Sequence, residues 1–208
     1  MTVDRDELES LVAEARTLAE NGVRELVLVA QDTTLYGEDL YGESRLPELL
    51  EQLCEIDGLA WIRLLYCYPE HITDRLLDVI AAQEKVLPYL DIPIQHCSGK
   101  VLRAMNRTGD AAWLKELIAH VRRKVPGMVL RTTVMTGFPG EGEEEFEELC
   151  DFIQEVRFER LGCFAFSPEE GTAAVDLPDQ VPEEEKNRRR ELVMEEQARI
   201  AGEYNEAQ

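Results

Sequence analysis

Three places in this sequence carry side chains suited to chemistry. At Gln95-His96-Cys97 a thiol stands beside an imidazole. Adjacent residues at an extended strand end point to opposite sides, so His96 is poorly placed to activate Cys97 as a nucleophile. That leaves a structural thiol, or a substrate- or cofactor-facing role for Gln95 or His96. Gly137-Phe-Pro-Gly-Glu141 reads as a tight strand-to-helix turn, with Glu141 to Glu145 favourable at the positive end of the helix that follows. Its glycines would equally let the backbone approach a cofactor closely. No Gly-Lys-Ser or Gly-Lys-Thr follows and the carboxylates repel phosphate, so this is not a phosphate loop. Arg131 lies inside the run Met128–Met135, otherwise fit for burial, and a guanidinium there needs a carboxylate partner or an anionic ligand.

Other polar runs have plainer readings. His71 and His120 fall in or near helices and are expected at the surface. The acidic runs Glu141 to Glu148 and Glu183 to Glu185 read as solvated helix starts, and the basic run Lys186, Arg188, Arg189 and Arg190 as an exposed helix face. The five cysteines, Cys54, Cys67, Cys97, Cys150 and Cys163, include no CxxC or CxxxC pair. A zinc knuckle or compact cluster-binding loop needs two or three thiolates within a few residues, so neither is expected here. An odd count without a signal peptide points to reduced thiols in the cytoplasm.

The 208 residues are 44% apolar, enough for a real core. No stretch approaches the roughly 18 uninterrupted apolar residues of a membrane span. With 22 Lys and Arg against 43 Asp and Glu, a net charge of −21, the chain repels phosphate backbones, and a general nucleic-acid binder is disfavoured.

Helical and strand patterns alternate along the chain. Leu8, Leu11, Val12, Ala15, Leu18 and Ala19 fall at helical spacing within Asp4 to Glu20, and Asn21-Gly22 supplies a stop. The short apolar run Glu25–Ala30 follows, the signature of a strand buried on both faces. Helices from about Leu46 to Ile56 and Asp74 to Ala82 precede strands Trp61–Tyr66 and Tyr89–Ile94. An interrupted helical stretch, Lys100 to Lys124, precedes strand Met128–Met135. Helix Glu143 to Val156 leads to strand Arg160–Phe166, and the last helix runs from about Glu185 to Ala201. Five such repeats predict one α/β domain with a parallel sheet built by right-handed crossovers. A doubly wound sheet and part of a (βα) barrel both fit. Polar residues after every strand favour the barrel, where chemistry gathers at the C-terminal strand ends: Gln31-Asp32, Tyr66-Cys67-Tyr68, Gln95-His96, Thr136-Gly137 and Ser167. A closed barrel needs eight strands, so a partial barrel is expected, with its first strand upstream.

Taken together, these segments resemble the radical S-adenosylmethionine (SAM) methylthiotransferases. The resemblance rests on Glu25–Thr34 with Tyr36-Gly37, on Asp91–His96 followed by Val101–Arg107, and on Leu130–Thr133 through Gly137–Glu141 with Phe146-Glu147. Gln95-His96, Arg160–Pro168, Glu170-Gly171-Thr172 and Leu177–Pro182 are similar to the branch that modifies an aspartate of a small-subunit ribosomal protein. The tRNA-modifying branch typically shows Gln-Ser-Gly at Gln95-His96-Cys97.

The resemblance implies a partial (βα) TIM-like barrel binding SAM and a 4Fe–4S cluster, which together support methylthiolation of an unactivated carbon. It implies that Gln31 and Gln95 face SAM, that Arg131 pairs with its carboxylate, and that Gly137 and Phe164 border the adenine. His96 is expected to face the substrate. No catalytic residue and no metal ligand is assigned to this chain, because the family's CxxxCxxC loop follows a strand expected upstream of residue 1. Residues 1–208 are thus read as a radical SAM core without the upstream cluster-bearing segment and the C-terminal small β-barrel domain, and inactive alone. The acidic balance suits a basic ribosomal protein as acceptor, without direct nucleic-acid or membrane binding. The alternatives are a tRNA adenosine methylthiotransferase and a non-catalytic partner-binding scaffold.

Overall fold

The structure, a computed structural model, describes residues 8–207. The start of the expected first helix, residues 4–7, lies outside the described residues. In chain order the elements are α1 (Leu8–Glu20), β1 (Glu25–Leu28), α2 (Glu38–Tyr41), α3 (Leu46–Cys54), β2 (Trp61–Leu64), α4 (Asp74–Ala82), β3 (Val86–Asp91), α5 (Gly99–Ala104), α6 (Ala111–Lys124), β4 (Val129–Thr136), α7 (Glu143–Val156), β5 (Arg160–Ala165) and α8 (Glu183–Glu206). The contact pattern divides the chain into two units. One comprises the residues up to Ile92 with Val121–Met128, the other Pro93–His120 with Val129 onward.

In the first unit, β1, β2 and β3 pair in parallel in chain order. Glu25 through Leu28 sit opposite Trp61 through Leu64, and Ile62 and Leu64 sit opposite Val86 and Leu90 across an irregularity. Leu46, Leu49, Leu50 and Leu53 of α3 fall at helical spacing and are buried, each contributing about 2 kcal/mol through exclusion of water. Thr73 starts α4 by accepting the Leu76 N–H at 3.3 Å, satisfying a donor the helix cannot pair internally.

In the second unit, β4 and β5 are parallel and in register from Arg131 opposite Arg160 to Thr136 opposite Ala165. Burial along β4 alternates strictly. Leu130, Thr132, Val134 and Thr136 are buried, while Val129, Arg131, Thr133 and Met135 occupy a half-buried face. Phe146, Leu149, Phe152, Ile153 and Val156 form the buried stripe of α7, and Phe152 lies 6.3 Å from the Phe158 ring centroid. The buried stripe of α8 is Lys186, Arg189, Val193, Gln197 and Ile200.

Three features differ from the sequence reading. The first strand ends at Leu28 rather than Ala30 and is half-buried, with Val27 and Val29 exposed, rather than buried on both faces. The third strand is Val86–Asp91 rather than Tyr89–Ile94, because Pro93 lacks the N–H that a ladder requires. Lys186 and Arg189 are buried rather than exposed, since they occupy the inward stripe of α8.

Candidate functional site

Gln95 follows Pro93 and Ile94 in a left-handed backbone conformation, φ 67°. Two hydrogen bonds hold it there: its N–H donates to the Thr133 carbonyl at 2.9 Å, and its carbonyl accepts from the Met135 N–H at 2.7 Å. For a residue with a Cβ this conformation costs about 1 kcal/mol or more, offset by that bridge to β4. Its side chain lines a cavity of about 460 Å³ within the second unit, together with Met135, Phe138, Phe166, Met105 and Asn106. Phe138 and Phe166 meet edge to face, centroids 5.1 Å apart. The lining is therefore mostly apolar with the amides of Gln95 and Asn106 among it, which suits a flat heterocycle with polar edges.

His96, one residue on, points the other way and is completely buried. Its Nδ1 accepts the Ser98 N–H at 2.9 Å, which places the ring proton on Nε2. Nε2 lies 3.5 Å from Oε2 of Glu141, whose side chain is also fully buried. The same Oε2 accepts the Gly137 N–H at 2.9 Å, and Oε1 accepts from Arg189 Nη1 at 2.8 Å. Burial alone pushes the Glu141 carboxyl up, but the adjacent His96 ring and the hydrogen bonds from the Gly137 amide and Arg189 outweigh it and hold the carboxyl below the usual range. Glu141 is therefore no solvated helix start. His96, expected to face the substrate, is instead buried, with Nδ1 hydrogen-bonded and Nε2 facing Glu141 without a hydrogen bond.

Gly137 has φ 74°, and a Cβ there would overlap Lys186 Cγ and lie 2.9 Å from Lys186 Cβ, so α8 packs directly on the turn after β4. The Lys186 ammonium lies 5.1 Å above the Phe166 ring, and Thr136 Oγ1 donates to the Lys186 carbonyl at 3.2 Å. Phe164 is 60% exposed and stands opposite Met135 on the same face of β4 and β5. Arg131 shares that face, two alternations below Met135, and is half-buried. The second unit thus brings Gln95, Gly137 and Phe164 around the β4 and β5 ends, with Arg131 lower on the same face. Gln31 belongs to the first unit, where it is exposed after β1.

The first unit has its own polar strand-end cluster, which the sequence reading passed over. Asp32 Oδ1 accepts the Thr34 N–H at 3.0 Å and the Tyr68 N–H at 3.4 Å, and Oδ2 lies 2.6 Å from His71 Nδ1. The missed Glu141–Arg189 pair had a trace in sequence: Arg189 falls in the i, i+4, i+8 row with Val193 and Gln197, so it had to lie on the inward stripe.

Metal chemistry does not fit the side chains seen. Among the described residues no group of three or more His, Cys, Asp or Glu could hold a metal ion. Cys67, Cys97 and Cys163 are buried. Burial pushes the thiols of Cys67 and Cys97 well above the ordinary range, that of Cys163 up to about 12 and that of Cys150 up to about 11. Cys97 Sγ donates to the Glu148 carbonyl at 3.5 Å, in keeping with a structural thiol. No described helix is long and apolar enough to cross a membrane.

The parallel βα units and the cavity at their strand ends define an α/β protein of partial-barrel type. Residues 2–153 match the model of the radical SAM superfamily, and the chain belongs to that superfamily. It is 47% identical over 196 residues to the ribosomal protein uS12 methylthiotransferase RimO of Alkaliphilus oremlandii, covering 94% of this chain and 45% of that relative. With the protein of the same name from Moorella thermoacetica it shares 52% identity over 199 residues, 96% of this chain and 46% of the relative. The chain thus spans about half the length of the curated relatives it matches. Among solved structures it is similar to coproporphyrinogen III oxidase (HemN) from Escherichia coli, a radical SAM enzyme. The TM-score is 0.68 at 18% identity, covering 96% of this chain and 47% of that one. It is also similar to Streptococcus suis SuiB bound to S-adenosylmethionine, TM-score 0.62 at 14% identity, covering 96% and 42%. These two likenesses bear on the fold, a partial (βα) barrel of parallel strands.

Proposed function

We propose that this chain is the SAM-binding core of a radical SAM methylthiotransferase whose acceptor is an aspartate of ribosomal protein uS12, the activity residing in the full-length protein. The observation that carries this reading is the identity of 47% and 52%, over 94% and 96% of the chain, with relatives bearing that name. The cavity at the ends of β4 and β5 supports it. When bound, SAM and a 4Fe–4S cluster supply the methyl group and the hydrogen-abstracting chemistry of the superfamily. In this reading thiolates from another part of the protein hold the cluster, in keeping with the protonated thiols described above.

The chain's own residues bind and orient. The Gln95 amide offers a donor and an acceptor to the edge of an adenine. Met135, Phe138 and Phe166 exclude water from its faces, and Phe164 presents an aromatic face beside Met135. Arg131, lower on the same face, suits the carboxylate of the amino-acid end. The net charge of −21 favours encounter with a basic acceptor protein, so association should weaken as salt screens charges beyond roughly 8 to 10 Å.

The test is anaerobic reconstitution of the full-length protein with SAM, a reductant, a sulfur source and purified uS12. Mass spectrometry should find a methylthio group on one aspartate of uS12. Methylthiolation of tRNA adenosine instead would overturn the acceptor assignment, and absence of SAM cleavage would overturn the reading as a whole.

A further inference from the structure

His96 is not simply a core filler: Nδ1 has a hydrogen-bond donor, and Nε2 faces the Glu141 carboxylate across 3.5 Å without completing a hydrogen bond to it. Nδ1 takes the Ser98 N–H, and Nε2 therefore carries the proton toward Glu141. Glu141 in turn holds the Gly137 N–H, and the next residue, Phe138, forms part of the cavity lining. Gln95, the neighbour of His96, lines the same cavity, which His96 does not. Arg189, on α8, occupies the second oxygen of Glu141 and also donates to the Glu141 carbonyl at 3.0 Å. One imidazole thus adjoins two parts of one cavity lining: Phe138 through the Glu141 carboxylate, and Gln95 through the backbone.

We propose that His96 is a positioning residue: through Glu141 it sets the Gly137–Phe138 turn, and by its inward anchoring it aims Gln95 into the cavity. This rests on the cavity being the nucleoside site proposed above, and deepens it. It replaces direct contact between His96 and the acceptor with control of the wall that the cofactor meets.

The two polar contacts of the His96 ring can be separated by substitution. In His96→Gln the longer amide can still donate toward Glu141. In His96→Asn the shorter one can still accept from Ser98 but cannot reach Glu141. The readout on the chain as it stands is amide hydrogen exchange at Gly137 by NMR, alongside titration with S-adenosylhomocysteine. Asn should speed exchange at Gly137 by about tenfold and weaken the nucleoside by a similar factor, the loss of the polar contact to the Glu141 carboxylate. Gln should stay within about threefold of the parent on both readouts. In a Glu141→Gln background the Asn substitution should add nothing further, since its route is already cut.

Equal acceleration with Gln and Asn, additive effects with Glu141→Gln, or loss of the fold in both single variants would overturn the proposal and assign His96 to packing. If S-adenosylhomocysteine failed to bind the unsubstituted chain while the exchange pattern held, the functional reading would fail and the positioning role would stand.

Discussion

At the strand ends of the second unit His96 meets Glu141 with both side chains fully buried. At those of the first unit His71 meets Asp32 with the ring side chain 40% exposed and the carboxylate 10%. The chemistry is the same pair of groups, and the surroundings assign them different work. Glu141 has no water to fall back on, so its oxygens must be satisfied by Gly137 and Arg189, with the His96 ring 3.5 Å away, and removing either donor leaves a buried oxygen unpaired. Asp32 spends Oδ1 on backbone N–H groups around a tight turn, and His71 is an addition at the rim that water can replace. Burial makes a histidine–carboxylate pair a structural commitment, and exposure leaves it an option.

The largest effect should come from Glu141→Ala, which leaves the Gly137 N–H without its acceptor and takes from the buried Arg189 guanidinium one of its carboxylate partners, Glu185 and Glu143 remaining. Urea unfolding should show a loss of about 3 kcal/mol. Asp32→Ala, by contrast, should cost only about 1 kcal/mol, as for loss of a turn-capping carboxylate. Equal losses at the two sites would erase the contrast. The sign with pH follows from the lowered carboxyls. Glu141 is held below 4.5, and Arg188 and Arg189 hold Glu185 down to about 2. The stabilisation from each is complete above the unfolded value near 4.5 and is lost as pH falls below it, for Glu185 toward about 2, because protonation of the folded form lags that of the unfolded chain. Glu141→Gln should flatten the acid limb of the stability curve.

Next in size is Gly137→Ala. It combines a strained positive φ with overlap against the Lys186 stem, for about 2 kcal/mol by the same unfolding measurement. Gly140, also at positive φ in the same turn, has open space around its Cβ direction, so Gly140→Ala should cost about 1 kcal/mol. His71→Ala should be the smallest, within about 1 kcal/mol, and should fade further in high salt.

The sequence carried most of the scaffold because local patterns specify it. Asp74 to Ala82 and Glu143 to Val156 emerge with the expected ends, since an apolar stripe at helical spacing and clear caps leave little choice. Strand starts at Glu25, Trp61 and Arg160 likewise coincide. The third strand shifted because Pro93 outweighed the apolar pattern around it. The turn Gly137–Glu141 was legible as a turn, but not as the hub of a buried network. Its partners His96 and Arg189 are 45 and 48 residues away in sequence, and no local pattern encodes which distant side chain fills a buried lone pair. Arg189 was hidden by its neighbours Arg188 and Arg190, which do face outward and made the whole run look like a solvated face.

The central claim, that the cavity at the ends of β4 and β5 receives the nucleoside part of SAM, is most directly tested by titrating S-adenosylhomocysteine into the ¹⁵N-labelled chain. Amide shifts should concentrate at Gln95, Met135, Gly137, Phe138 and Phe164 to Phe166, and Gln95→Ala should diminish them. Shifts confined to the Asp32–His71 cluster, or undiminished by Gln95→Ala, would contradict it.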